Sequence, residues 1–356
     1  MAKEKRTRKK MKKSVKIFLS IIVLAVVAVG GYFAYQIFVK GEDPAKVFVP
    51  KEVVPEKKLQ IVDVNSKSRP YAVMINNLNA ARPYQSGLQD AFIMYEIIVE
   101  GGITRMLAVF KDQNTERIGS IRSARHYFLD YALENDAIYT HWGWSPQAKE
   151  DISKLKVNTV SADNYSSAFY KDNTLTSISS EHRGFTSIEA LEKGTAAKKY
   201  RTETNKELLL NYSVDAVSLS EMDNAKAANN VTVAYSNTYK SSYVYDAENQ
   251  YYLRSVNGTA HIDYVTKQQY HFKNLIIYNV KNETMIGGGK GRQDISNIGS
   301  GEGWYVTNGY AIPITWEKKD RSSQTIYKYE DGKEIDVNDG NTFIQIYPTG
   351  QSLNIN

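Results

Sequence analysis

The sequence predicts an α+β protein with an N-terminal transmembrane helix, then an α/β domain and a C-terminal antiparallel all-β domain. Three observations predict it. Ile17–Val39 is a 23-residue apolar run. Between residues 67 and 205, short apolar runs alternate with segments of helical period. Beyond Asn230 the chain becomes a series of Tyr- and Val-rich segments alternating in period two.

Residues 1–16 hold nine Lys/Arg and one Glu, a charge of +8; the whole chain carries +6, so the other 340 residues carry −2. A body so near neutrality offers nucleic acid little electrostatic attraction, and no nucleic-acid partner is expected. The apolar run that follows has Ser20 and Gln36 as its polar members. At about 1.5 Å per residue it is long enough for a hydrocarbon core of roughly 30 Å. The basic block precedes it and only mixed charges follow. The positive-inside rule therefore predicts a single-pass protein of the cell membrane, with residues 1–16 as a cytoplasmic tail, 17–39 as the anchor and the bulk of the chain extracytoplasmic. A cleaved signal peptide has a shorter apolar core, about 7–15 residues, so an uncleaved anchor is expected. The chain has no cysteine, which excludes disulfides and a cysteine-linked lipid anchor.

Residues 40–66 mix Pro, Lys and Glu without a sustained period and read as an extracytoplasmic linker. The α/β domain is placed at 67–205, a connector at 206–228 and the β domain at 229–349. Residues 71–77 read as a buried strand, and 92–102 and 105–112 as strands joined at Gly101-Gly102. Tyr127, Phe128, Tyr131 and Ala132 recur at helical spacing, which predicts a helix over 123–137 capped by Ser123. A strand follows over 137–144, and Ser145-Pro146 opens a helix through Leu155. Thr186 and Glu189 have the spacing of a capping box for a helix over 186–200. In the β domain, Asp246–Asn249, Asn257-Gly258, Asn308-Gly309 and Asp331-Gly332 supply the turns.

The stretch GSIRSAR, residues 119–125, holds the main chemical signal. Positive charge at a helix start is normally unfavourable, so Arg122 and Arg125 are expected to face an anion, either a ligand or an internal carboxylate. Asp90, Glu96 and Glu100 are the acidic partners or bases within reach in sequence, and Arg105 and Arg183 complete the anion-binding candidates. Trp142 and Trp144 flank Gly143 at a strand end, where α/β folds place binding crevices; exposed they stack on sugar, buried they are core. Glu181, His182 and Arg183 line the same crevice or cap a helix. GGGKGRQD, residues 287–294, lacks the spacing of a P-loop and reads as a hairpin or loop. The five histidines, at 126, 141, 182, 261 and 271, are scattered, so neither a metal nor another cofactor is expected.

PYAVMINNLNAARPYQSGLQDAFIMYEIIVEGGITRMLAVF and IGSIRSARHYFLDYALENDAIYTHWGWSPQA resemble the YerB-like family of Gram-positive lipoproteins, as do GGGKGRQDISNIGSGEGWYVTNGYAIPITWEK and GNTFIQIYP. The resemblance covers residues 67–349, with VEGGITR (99–105) and IRSAR (121–125) its specific motifs. It implies two domains of unknown function at the cell envelope. It also implies a lipid-bearing cysteine, which this chain lacks, so Ile17–Val39 takes over the anchoring. A looser pattern is similar to the LytR-CpsA-Psr phosphotransferases, in which an acidic strand start and an arginine-bearing turn hold a polyprenyl pyrophosphate. That similarity implies such roles for Asp90, Arg105, Arg122 and Arg125.

Two functions are therefore expected, beside a third reading as a purely structural scaffold for division or wall-synthesis proteins. One is a non-enzymatic binding module whose Arg-lined pocket takes a cell-wall polymer or lipid-linked precursor, or which meets other envelope proteins. The other is a phosphotransferase-like enzyme acting on a polyprenyl-pyrophosphate-linked glycan. There the arginines would offset transition-state charge while Asp90 or Glu100 placed a metal or a base. Whether Arg105, Arg122, Arg125 and Glu100 meet at an accessible cavity or neutralise one another decides how much either expectation retains.

Overall fold

The structure is a computed structural model that describes residues 13–41, 58–287 and 289–356. The chain divides into two units, residues 1–57 and 58–356. Most of the basic tail and residues 42–57 of the linker lie outside the described residues.

In the first unit, helix α1 (Lys13–Ala34) continues as a π-helical turn, Tyr35–Val39. Ser20–Val39 has a mean hydropathy of 2.1, long and apolar enough to cross a membrane. Ile17, Ile21, Leu24, Val27 and Tyr32 are all exposed, so the apolar surface runs around the helix rather than along one stripe.

The second unit begins with β1 (Tyr71–Asn76), β2 (Ile93–Ile98) and β3 (Thr104–Phe110), then α2 (Phe128–Glu134), β4 (Ile138–His141), α3 (Pro146–Lys154), β5 (Thr159–Ser161) and α4 (Ile188–Ala197). After Asn230 come β6 (Asn230–Ser236), β7 (Tyr239–Asp246), β8 (Tyr251–Val256), β9 (Asn274–Val280), β10 (Asn282–Thr284) and β11 (Gln293–Ile295). The last long strands are β12 (Gly299–Thr307), β13 (Tyr310–Lys318), β14 (Thr342–Pro348) and β15 (Leu353–Ile355).

One sheet runs through both regions in the order β13-β12-β9-β14-β2-β3-β1-β4-β5, with Lys226–Ala227 and Ile326–Lys328 added at β13. The join is β14, which pairs in parallel with β2 on one side and β9 on the other. The α/β and β regions therefore share a sheet instead of each closing its own. Strands β1, β2, β3 and β14 are buried on both faces, which explains their unbroken apolar runs. β7 and β8 alternate between buried and more exposed positions because they belong to a second sheet that covers one face of the first. Tyr235 of β6 donates its hydroxyl to Glu96 O at 3.0 Å across that junction.

Several local expectations hold. Gly101 and Gly102 turn β2 into β3 with φ of 73° and 72°, and Ser145 Oγ caps α3 by accepting from Ala148 N at 3.2 Å. Two caps differ. The helix expected at Ser123 begins at Phe128, because residues 121–124 are drawn into extended pairing: Arg122 N donates to Met74 O and Ala124 N to Gly143 O, each at 3.0 Å. The cap of α4 is Ser187, since Thr186 ends a short strand and turns its hydroxyl to Ala168 O.

Candidate functional site

Strands β1, β2, β4 and β5 run in one direction and β3 runs against them, so four carboxyl ends and the start of β3 share one edge of the sheet. β14 and β9 point the same way, and the β10–β11 hairpin follows directly from the end of β9. In open α/β sheets ligands bind outside this edge. The arginines of the 119–125 turn are found here.

Arg105, on β3, sits opposite Ile97 of β2 and Asn76 of β1. It is 8% exposed. One of its N–H groups donates to Ser123 O, and among the described residues no carboxylate is within ion-pair distance of it. Burial, and then the charge of Arg125, push its guanidinium down to about 9, with Glu100 opposing and Arg122 adding to the effect. At neutral pH the group stays charged, and the depression measures how poorly its charge is balanced.

Arg125 is the balanced member. Its Nε donates to Glu100 Oε1 at 2.7 Å and its Nη1 to Ala124 O at 2.8 Å. Burial raises the Glu100 carboxyl, but the Arg125 hydrogen bond and charge outweigh it and leave the pKa below the ordinary value. Arg122 reaches the surface, where Nη2 donates to Glu181 Oε2 at 3.2 Å; the two side chains are 25% and 58% exposed. Arg122 is also the main reason the Glu181 pKa is low, and Lys290 on the hairpin adds to that field. His182 is buried, with Nδ1 2.9 Å from Asn76 Nδ2 and Nε2 3.5 Å from Glu181 Oε1. Burial, then Arg122, lower its pKa, so the ring is neutral at physiological pH.

Beside these groups lies a cavity of about 150 Å³ lined by Ile121, Arg122, Trp142, Lys171, Ser180, Glu181 and Gly184. The hairpin contributes Arg292, whose Nε is 4.0 Å from Glu100 Oε1. Six basic side chains, Arg105, Arg122, Arg125, Lys171, Lys290 and Arg292, thus gather around two carboxylates, Glu100 and Glu181. The nearby acids Asp163 and Asp294 are engaged elsewhere, with Gly143 N and His126.

The remaining candidates lie outside this cluster. Asp90 precedes β2 at the opposite end of the β2–β3 pair, where it accepts from Thr115 Oγ1. Val109, the partner of Ile93, is four steps along β3 from Arg105, which places Asp90 more than about 13 Å away along the strands. Glu96 is on the other sheet face, ion-paired with Arg254 at 2.9 Å. Arg183 clamps its own loop by donating to Ile178 O and Thr176 O. Trp144 packs edge-on to His141 at 5.7 Å, away from the cavity that Trp142 lines. Lys171, Ser180, Lys290 and Arg292 carry no signal of this site in the sequence; the glycine-rich run around Lys290 marks a hairpin but not where it leans. No cluster of metal-ligating side chains occurs among the described residues.

The same architecture occurs in a solved protein. A family model described as the N-terminal domain of a protein of unknown function (DUF3048) matches residues 59–201, and its C-terminal companion matches residues 231–344. "Putative lipoprotein YerB" of Bacillus subtilis (strain 168) is 30% identical over 310 residues, 84% of this chain and 89% of that protein. This chain belongs to the YerB-like family. The crystal structure of the B. subtilis YerB protein matches with a TM-score of 0.69, covering 81% of this chain and 94% of that one at 30% identity. Both matched regions of this YerB-like chain supply the basic cluster, the first through Arg105, Arg122 and Arg125 and the second through Arg292.

Proposed function

We propose that this YerB-like protein is anchored in the cell membrane by Ile17–Val39 and uses its extracytoplasmic unit to bind an anionic envelope component. The ligand is a wall polymer or a lipid-linked precursor, and binding is not coupled to catalysis. The observation that carries the reading is Arg105: a buried guanidinium with no carboxylate within ion-pair distance among the described residues, held in the field of Arg122, which lines a cavity together with Lys171. A protein that needed these arginines only for packing would be expected to pair each of them, as it pairs Arg125. The phosphotransferase reading has less support, because Asp90 lies at the far end of the strands and Glu100 is committed to Arg125.

The test uses the full-length protein in zwitterionic nanodiscs, titrated calorimetrically with poly(glycerol phosphate) and with farnesyl pyrophosphate. Saturable binding to at least one is expected, weakened about tenfold or more in the Arg122→Ala/Arg125→Ala variant. Absence of binding to both, or binding indifferent to those substitutions, sinks the reading.

A further inference from the structure

We propose that the cavity beside Arg122 holds one sugar ring bearing a negatively charged substituent, so that the ligand is an acidic glycan and not a bare phosphodiester chain. This rests on the anion-binding reading and names its ligand class. The size comes first. A cavity of about 150 Å³ matches one that benzene fills, room for a single six-membered ring.

The walls come next. Trp142 supplies an aromatic surface, and its place there depends on Gly184: a Cβ added at that glycine would lie 2.6 Å from Trp142 Cε3. Aromatic rings pack well on the C–H face of a pyranose, which is apolar above and hydroxylated around its edge. Lys171 Nζ stands 5.7 Å from the Trp142 ring centroid and is held by Ser180 Oγ at 2.8 Å. Arg122 lies on the same cavity, fixed by Glu181. Two cations against one carboxylate leave a charge of +1 facing the cavity, which one anionic substituent neutralises. The Glu181 carboxylate, 58% exposed, remains free to accept from ring hydroxyls. A bare phosphate would use the cations and leave the aromatic wall idle.

Full-length protein in zwitterionic nanodiscs is titrated with glucose 1-phosphate, glucuronate, glucose, inorganic phosphate and uridine monophosphate. One of the two acidic sugars is expected to bind at least about tenfold tighter than glucose or phosphate. Trp142→Leu should erase that preference. Lys171→Gln, at an exposed position where folding is not at stake, should weaken the acidic sugar about tenfold. The inference is overturned if phosphate binds as tightly as the acidic sugars, if uridine monophosphate binds tighter, or if Lys171→Gln has no effect. In each case continued Arg122-dependent binding of poly(glycerol phosphate) leaves the anion reading standing. Failure of every anion to bind removes both.

Discussion

Strands β2 and β3 carry buried charge on both faces, and the two faces handle it in opposite ways. Beneath the second sheet, Glu96 and Arg254 are both wholly buried and 2.9 Å apart. Glu96 also accepts from Thr104, Asn77, Tyr239 and Ser241 at 2.7–3.0 Å. Arg254 Nη1 lies 2.5 Å from His261 Nδ1, whose ring is kept neutral by burial and then by Arg254 itself. Charge there is matched and closed off. On the other face no carboxylate among the described residues is within ion-pair distance of Arg105, and its neighbour Arg122 lines an open cavity. A closed pair in low dielectric serves uniqueness of packing at little net gain, whereas an open surplus is a standing cost that a bound anion removes.

The contrast is broken most severely by stranding one partner of the closed pair. Arg254→Met leaves Glu96 buried without its cation and should remove about 3–5 kcal/mol of stability in urea unfolding of the detergent-solubilised protein. A loss below about 1 kcal/mol would mean that the two faces do not differ in the way described.

Acid probes the same pair more gently. Burial raises the Glu96 carboxyl, but Arg254 and the hydroxyl donors more than offset this and hold its pKa below 4.5. A carboxylate depressed on folding contributes stability that is present above its unfolded value and is lost as pH falls through the folded one. Stability should therefore decline as pH drops below about 4.5, and the decline should be shallower in Glu96→Gln. Identical profiles for the two proteins would remove Glu96 as a source of the acid response.

The smallest effect is expected at the open face. Arg105→Met discards an ill-balanced buried charge and one hydrogen bond, so thermal and urea stability should stay within about 1 kcal/mol of the parent or rise slightly. Binding of poly(glycerol phosphate) should nevertheless weaken. Unfolding as severe as that of Arg254→Met would mark Arg105 as a structural group.

Much of this arrangement is readable from local chemistry. The Gly101-Gly102 turn and the apolar runs around it place β2 and β3, and Ser145-Pro146 starts α3. The same turn contains information about faces: with Ile97 opposite Arg105, alternation sends Glu96 and Arg105 to opposite sides of the sheet. That alternation keeps the two from pairing. Ser123 fails as a cap because a long-range acceptor, Met74 O, claims the neighbouring Arg122 N–H, and helix propensity contains no term for such a competitor. Lys171 lies in a two-residue strand that no periodicity announces. Its place on the cavity depends on pairing with β-strand Gly184–Thr186, a contact without a local signature.

The insertion of Thr342–Pro348 between β2 and β9 sets an order of events during synthesis. Ile93–Ile98 emerges early yet has no neighbour on one flank until almost the whole polypeptide has been made. Non-local pairings of this kind delay consolidation, so the nascent chain stays pliable until synthesis is nearly complete. A premature stop ahead of Thr342 would leave two ragged edges, one in each matched family region, and neither half is built to stand as an independent fragment.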